Sequence, residues 1–199
     1  IETEKLRNVL TGGKQVKRYF IEKLDLFLIY TKREDNFKKL PNICNFIDHH
    51  SSRITCKEVI QKKHSIYALH RARKEHLFLK PQKFLGVITE DRIILSLDES
   101  KTFATDGLYL FGIKSSVNSL YLLGILNSKL FVFLYRLLTL EEGRVMAQVK
   151  PTILAKIPIR LIDFDNKTEQ RCHDKIISLV KEMISLNKKL AVARTSHEK

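Results

Sequence analysis

The apolar residues of this chain change period part-way along, and that change limits the folds open to it. From Phe84 to Ile88 and from Ile93 to Leu97 they form short β-rich runs. Thr89-Glu90-Asp91-Arg92 between them has the composition of a hairpin turn. Leu108 to Ile113 predicts a further strand after Asp106-Gly107. From Ser119 the spacing turns helical: Leu120, Leu123, Leu126, then Leu130, Phe131, Leu134, Leu137 and Leu138 predict a long apolar helical stretch, broken near Gly124 or at Asn127-Ser128. Pro151 to Ile157 predicts a short helix and Pro158 to Ile162 a strand. The clearest helix runs from Lys167 to about Leu190, where Ile176, Val180, Met183, Asn187 and Leu190 step by 4, 3, 4 and 3 residues. Ile177 and Ile184 widen that stripe, which favours packing on its own domain over a free coiled coil. Asn187 on the seam leaves a partner helix open.

Earlier in the chain, residues 14–30 alternate loosely (Val16, Tyr19, Ile21, Leu24, Leu26, Leu28, Tyr30), predicting two short strands after a Gly12-Gly13 turn. From Asp35 to Ser65 the pattern is helical, with Pro41 suited to a first turn and Ile43, Phe46 and Ile47 on one face. A second helix after Ser51-Ser52 would turn Ile54, Val59 and Ile60 inward. The sum is an α+β fold: a mixed, sheet-containing domain over residues 1–165 with helical insertions, then a long C-terminal helix over 166–199 that packs on it or on a partner. No internal repeat and no Gly/Ser linker divides the chain.

Of the 199 residues, 44% are hydrophobic and 29% charged, which suits a folded chain with a substantial core. Three cysteines cannot build a disulfide framework, so a reducing, cytoplasmic setting is expected. The longest apolar run, Leu120 to Leu126, falls far short of the ~20 residues a membrane helix needs. Ile1 is not an initiator Met, and the chain reads as a soluble piece of something longer. Charge is distributed unevenly: of the formal +14, residues 31–83 carry +8. A surplus so clustered points to a polyanion or an acidic surface as partner. A membrane surface is disfavoured, since no basic amphipathic helix with exposed Trp or Phe is apparent.

Candidate chemistry is sparse. Glu99-Ser100-Lys101, with Asp91 or Asp98 upstream, has the E-x-K form of metal-dependent nucleases but lies at a strand-to-turn junction. Cys44, His49, His50 and Cys56 lack the paired knuckles of a structural zinc site, and Cys44 beside Phe46 and Ile47 suits a small apolar core residue. Cys172-His173 stands without an orienting group. Gly12-Gly13-Lys14 lacks the first Gly and the hydroxyl of a phosphate loop, and no Asn-Pro-Pro-Tyr type motif of adenine methylation is present. The expectation is a chain with no catalytic centre, metal or cofactor of its own.

Several stretches together resemble the TaqI-like C-terminal specificity (target recognition) domain of bacterial restriction–modification enzymes. Leu10-Thr11-Gly12-Gly13-Lys14-Gln15-Val16-Lys17-Arg18-Tyr19 is similar to the turn and strand that open such domains. Ile66-Tyr67-Ala68-Leu69-His70-Arg71-Ala72-Arg73 is similar to a second segment, departing from it at Ile66, where Trp is frequent, and at Ala72, where Pro is usual. Phe103-Ala104-Thr105-Asp106-Gly107-Leu108-Tyr109 and Tyr121-Leu122-Leu123-Gly124-Ile125-Leu126-Asn127-Ser128-Lys129-Leu130 are the most specific matches. Lys150 to Ile159 resembles the closing segment.

The resemblance implies a non-catalytic module that clamps double-stranded DNA against a methyltransferase or endonuclease domain, in cis or in trans, and reads the target. S-adenosylmethionine and Mg²⁺ would belong to those catalytic modules. Leu122, Leu123 and Leu126 are then core, and Asp106 caps or bonds backbone. From groove chemistry, Lys14, Lys17, Arg18, Lys62, Lys63, Arg71, Arg73 and Lys74 are assigned to phosphates. Arg92, Arg144 and Gln148 are assigned to base edges. Three other readings stay open: half of a Type I specificity subunit whose tail helix self-associates, a basic protein-interaction module, and an autonomous nuclease centred on Glu99.

Overall fold

The computed structural model describes residues 2–22, 25–114, 116–139 and 143–197, with side chains as far as residue 193. In chain order these hold β1 (Leu6–Leu10), β2 (Val16–Lys17), β3 (Phe20–Ile21), β4 (Phe27–Ile29), α1 (Pro41–His49), α2 (Lys57–Ile60) and α3 (Glu75–Phe78). There follow β5 (Lys83–Val87), β6 (Leu95–Asp98), β7 (Phe103–Ala104), β8 (Leu108–Gly112), α4 (Ser119–Leu126), α5 (Lys129–Thr139), α6 (Pro151–Leu154) and α7 (Lys167–His197). The architecture is α+β.

β5 organises it. All five of its residues are buried. Successive strand side chains face opposite ways, so a strand covered on both sides is apolar wherever a buried side chain lacks a polar partner, as from Phe84 to Val87. Leu85 and Val87 enter one core with Val9, Leu10, Tyr30, Phe78, Phe103 and Leu108. Phe84 points the other way, into a second core with Leu95, Leu123, Phe131, Tyr135, Val149 and Val180. β5 pairs antiparallel with both β6 and β8. A second three-stranded sheet sets β1 antiparallel to β4 and parallel to β7, and β2 and β3 form a hairpin. Where β5 begins, Lys83 is sealed from solvent and donates to the Phe78 carbonyl (2.8 Å) and to Asp98, its register partner on β6.

The apolar stretch from Ser119 breaks at Asn127-Ser128, the second of the two expected places, and α4 and α5 meet there at 55°. Among the described residues no single helix is long and apolar enough to cross a membrane. Gly124 has a packing reason to be glycine: a Cβ there would lie 2.7 Å from Ile176 Cγ2 and 2.9 Å from Val180 Cγ2, so α4 and α7 approach as only a bare backbone permits. Leu123 is fully buried, and Leu122 and Leu126 pack partly covered around it.

The sequence reading needs several corrections. Residues 16–29 hold three short strands, not two, and β1 precedes them; Leu24 lies outside the described residues. Pro158 to Ile162 forms no strand. Phe46 and Ile60 are exposed, since α1 and α2 are short surface helices; α1 buries only Ile43, and Phe46 instead meets the edge of His50. The tail stripe is covered only in part. Val180, Ile176 and Ile184 face the second core, whereas Met183 and Leu190 are exposed. The reason is length: α4 spans about 12 Å beneath a helix of about 46 Å. Asn187 donates back to the Met183 carbonyl one turn earlier, 2.7 Å away.

Candidate nucleic-acid interface

The Gly12-Gly13 turn is locked from below. Gln15 is buried and its Oε1 accepts from the backbone N–H of Thr11 (2.7 Å) and of Gly12 (3.2 Å). Gly13 presses on β5, where a Cβ would stand 2.6 Å from Val87 Cγ1. Lys14 is thereby turned to solvent. Two residues on, the β2–β3 hairpin closes through Arg18-Tyr19 with Tyr19 at φ 65°, a left-handed conformation disfavoured for a bulky side chain. The Tyr19 N–H donates to the Leu95 carbonyl (3.2 Å), which holds the turn in place.

These turns build the first basic surface. Lys14, Lys17, Arg18 and Arg92, with Glu90, line a concavity of about 430 Å³. Arg18 and Arg92 also line a neighbouring one of about 770 Å³, to which α5 adds Lys129, Arg136, Val132, Phe133 and Leu137. Some of this charge is balanced. Lys17 lies 3.4 Å from Glu22, and Arg136 donates to Asp91 at 2.6 Å. The structure thus brings together Lys14, Lys17, Arg18 and Arg92 from the sequence assignment. Lys129 and Arg136 were missed, although Lys129 ends the quoted Asn-Ser-Lys motif.

A second basic surface of about 350 Å³ is lined by Lys32, Arg33, His70, Arg71, Arg73 and Lys74, with Glu34. Arg71 and Arg73 continue into an adjoining hollow beside Thr105 and Asp106. Arg73 has a different job from its neighbours. Its Nη1 donates to the carbonyls of Thr105 (3.1 Å) and Leu108 (3.0 Å), and its Nη2 to Leu108 (3.0 Å). The guanidinium is committed to satisfying backbone between β7 and β8. Asp106, expected to bond backbone, is exposed; its neighbour Thr105 makes that bond, donating to the Thr11 carbonyl at 3.0 Å. That hydrogen bond links the segment before the Gly12-Gly13 turn to the hollow beside Arg71 and Arg73. Lys62, at φ 56°, and Lys63 are exposed beyond α2 and line neither.

Arg144 and Gln148 lie on the 143–149 loop. Tyr135, fully buried, accepts from the Lys150 N–H (2.8 Å) and donates to the Gln148 carbonyl (3.4 Å). Val149 N–H donates to the Ile88 carbonyl at 2.8 Å, which seats the loop beside the turn that carries Arg92. The exposed tip is apolar, with Val145 and Met146, the latter at φ 61°.

The nuclease-like carboxylates do not converge. Asp98 accepts from Lys83 and from Thr102 Oγ1 (2.8 Å), Asp91 pairs with Arg136, and Glu99 accepts from Gln82 (2.8 Å). All three cysteines are free thiols. Of the Cys44, His49, His50 and Cys56 group, only Cys56 joins a set of potential metal donors, with Glu58 and His70. The Glu58 carboxyl is held below its ordinary range by its own backbone N–H and the Cys56 thiol, opposed by desolvation and aided by His70 and Arg71. On α7, His173 bonds Asp174 (3.0 Å) between the rings of Tyr121 and Phe164, whereas Cys172 is exposed.

The family model of the TaqI-like C-terminal specificity domain matches residues 8–159, from within β1 to just beyond α6. The chain belongs to that family. No curated protein matches it. The matched region of this TaqI-like specificity domain holds both basic surfaces and the 143–149 loop, and membership points to DNA target recognition in restriction–modification. The match is to a specificity domain, and Asp91, Asp98 and Glu99 each hold a partner of their own.

Proposed function

We propose that this TaqI-like domain grips double-stranded DNA and positions it for a methyltransferase or endonuclease module in the same or another chain. The observation that carries the proposal is the gathering of Lys14, Lys17, Arg18 and Arg92 from three turns onto one concave face inside the family-matched region. Cations held on fixed turns neutralise phosphates and set register on a duplex. Lys14, Lys17, Arg18, Lys129, Arg71 and Lys74 take the phosphate role, with Lys62 and Lys63 outlying contacts. Arg92, with Arg144 and Gln148 on the adjoining loop, takes the base edges, where Arg and Gln make paired hydrogen bonds to guanine and adenine. S-adenosylmethionine and Mg²⁺ are assigned to the catalytic modules. Selection of bound sequences from a random duplex pool, with and without a catalytic module, tests the reading. Enrichment of one sequence by the domain supports it. Binding that is unselective and independent of salt overturns it.

A second reading, half of a Type I specificity subunit, draws on the tail. Leu179, Met183, Leu186 and Leu190 lie exposed on α7 at steps of 4, 3 and 4 residues, a coiled-coil spacing facing away from the second core. On this reading α7 acts as a spacer helix paired with another. Sedimentation showing a dimer that disappears on removing the tail favours it; a monomer dismisses it.

A further inference from the structure

Cys56, Glu58 and His70 each place one donor atom within 4.8 Å of the other two: a thiol sulfur, a carboxylate oxygen and an imidazole nitrogen. We propose that these three side chains bind one divalent transition-metal ion of the zinc type, clipping α2 to the segment that leads into Arg71.

The thiol and the imidazole each lie close to the Glu58 carboxylate, at its two different oxygens. Cys56 Sγ lies 3.4 Å from Glu58 Oε2, and His70 Nε2 lies 3.6 Å from Glu58 Oε1. Metal bonds of ~2.0–2.3 Å at tetrahedral angles set donor atoms about 3.4–3.6 Å apart. Drawing the three donors onto one ion calls for adjustment of the Cys56, Glu58 and His70 side chains. Cys56 is the N-cap of α2 and Glu58 stands in its first turn. His70 comes from a segment that is independently fixed. His64, buried, is bonded through Nε2 to the Ala68 carbonyl (3.0 Å), and the Leu69 N–H donates to the Thr31 carbonyl (3.1 Å). The His64 ring meets that of His70 edge-on at 5.2 Å and restricts its rotation.

The donor set selects the metal. Mg²⁺ and Ca²⁺ take oxygen ligands, whereas one thiolate with one imidazole suits Zn²⁺ and, as a substitute, Co²⁺. Three protein ligands leave the fourth position to water. Binding releases the thiol proton and joins residues 14 positions apart in sequence. That clip serves a part of the chain with little core of its own, since α2 buries none of its residues. The inference rests on donor placement and not on duplex binding, so the two proposals fail separately.

The full 199-residue chain, reduced and stripped with chelator, is titrated with Co²⁺ alone and then with competing Zn²⁺. The expected result is one equivalent bound, with a thiolate-to-cobalt charge-transfer band that Zn²⁺ abolishes. Cys56→Ser removes the band and His70→Ala weakens binding ~10-fold or more, while Cys44→Ser and Cys172→Ser leave both unchanged. Should Cys56→Ser fail to fold, alkylation of the wild-type chain decides. Zn²⁺ slows modification of Cys56 and leaves Cys44 and Cys172 unaffected. No band together with unchanged alkylation at Cys56, or a band that persists in folded Cys56→Ser, overturns the proposal.

Discussion

Asn127 pairs with both backbone groups of Leu95: its Oδ1 accepts from the Leu95 N–H at 3.0 Å and its Nδ2 donates to the Leu95 carbonyl at 2.9 Å. β6 is an edge strand; the Leu95 carbonyl also accepts from the Tyr19 N–H, whereas the Leu95 N–H is satisfied by Asn127 Oδ1. A carboxamide at the α4–α5 break completes the edge as another strand would. The cost of an unsatisfied buried backbone group is about 1–3 kcal/mol. Asn127→Ala strands the Leu95 N–H and is therefore expected to lose about 1–3 kcal/mol in urea unfolding, and Asn127→Asp, which keeps the acceptor but loses the donor and buries a charge, does not fully restore it.

The α4–α7 contact predicts a specific steric response. Alanine is the better helix former by about 1 kcal/mol, yet Gly124→Ala forces a methyl against Ile176 and Val180. Overpacking of this kind costs about 1–3 kcal/mol, so the variant is expected to be less stable than wild type. Val180→Ala creates room beside it. The double variant is then less destabilised than the sum of the singles, a coupling that a double-mutant cycle measures.

Arg71 and Arg73 are separated by one residue and should respond in opposite ways. Arg73→Ala strands the Thr105 and Leu108 carbonyls and loses about 2–4 kcal/mol of stability. Arg71→Ala should leave unfolding within about 0.5 kcal/mol of wild type while weakening duplex binding and lowering the salt slope by about 1. Thermal melts beside salt-series titrations separate the two.

Asp35 ties the start of β1 to the exit from β4. Its carboxylate accepts from Lys5 Nζ (2.8 Å) and the Lys32 N–H (2.9 Å). Partial burial pushes the carboxyl up, but these bonds and the charges of Lys5 and Lys32 outweigh it and hold it below its ordinary value. A carboxyl lowered by folding binds fewer protons in the native than in the unfolded state. Its contribution is therefore complete above the ordinary carboxylate range and lost as pH falls through the folded value. Asp35→Asn is expected to cost about 1 kcal/mol at neutral pH, with the gap to wild type closing in acid when unfolding is followed across the carboxylate range.

What the sequence revealed was set by local patterning. The β5–β6 hairpin was legible because Phe84 to Val87, covered on both faces, is a near-continuous apolar run set off from the next by turn residues. Pro41 marked the first turn of α1, and Asn127-Ser128 marked the helix break. Phe46 and Ile60 misled because helical spacing records which residues share a face, not whether that face is covered. The basic turns were found from charge and motif. Their support was not: Gln15 works by folding its side chain back onto its own turn, and Arg136 joins the site because α5 lines the same concavity as Arg18 and Arg92. Arg73 looked like its neighbours until the carbonyls it satisfies were located. The Cys56–His70 pair, 14 residues apart, carries no recognisable knuckle spacing.

β5 is the common spine of both cores, sending Leu85 and Val87 one way and Phe84 the other. Damage to either hydrophobic half is thereby transmitted to the other through the central sheet, where β8 beside β5 divides its side chains in the same way. The domain should melt in one cooperative step, and a redesign of its reading loops has latitude at the turns so long as that sheet keeps its alternating residues.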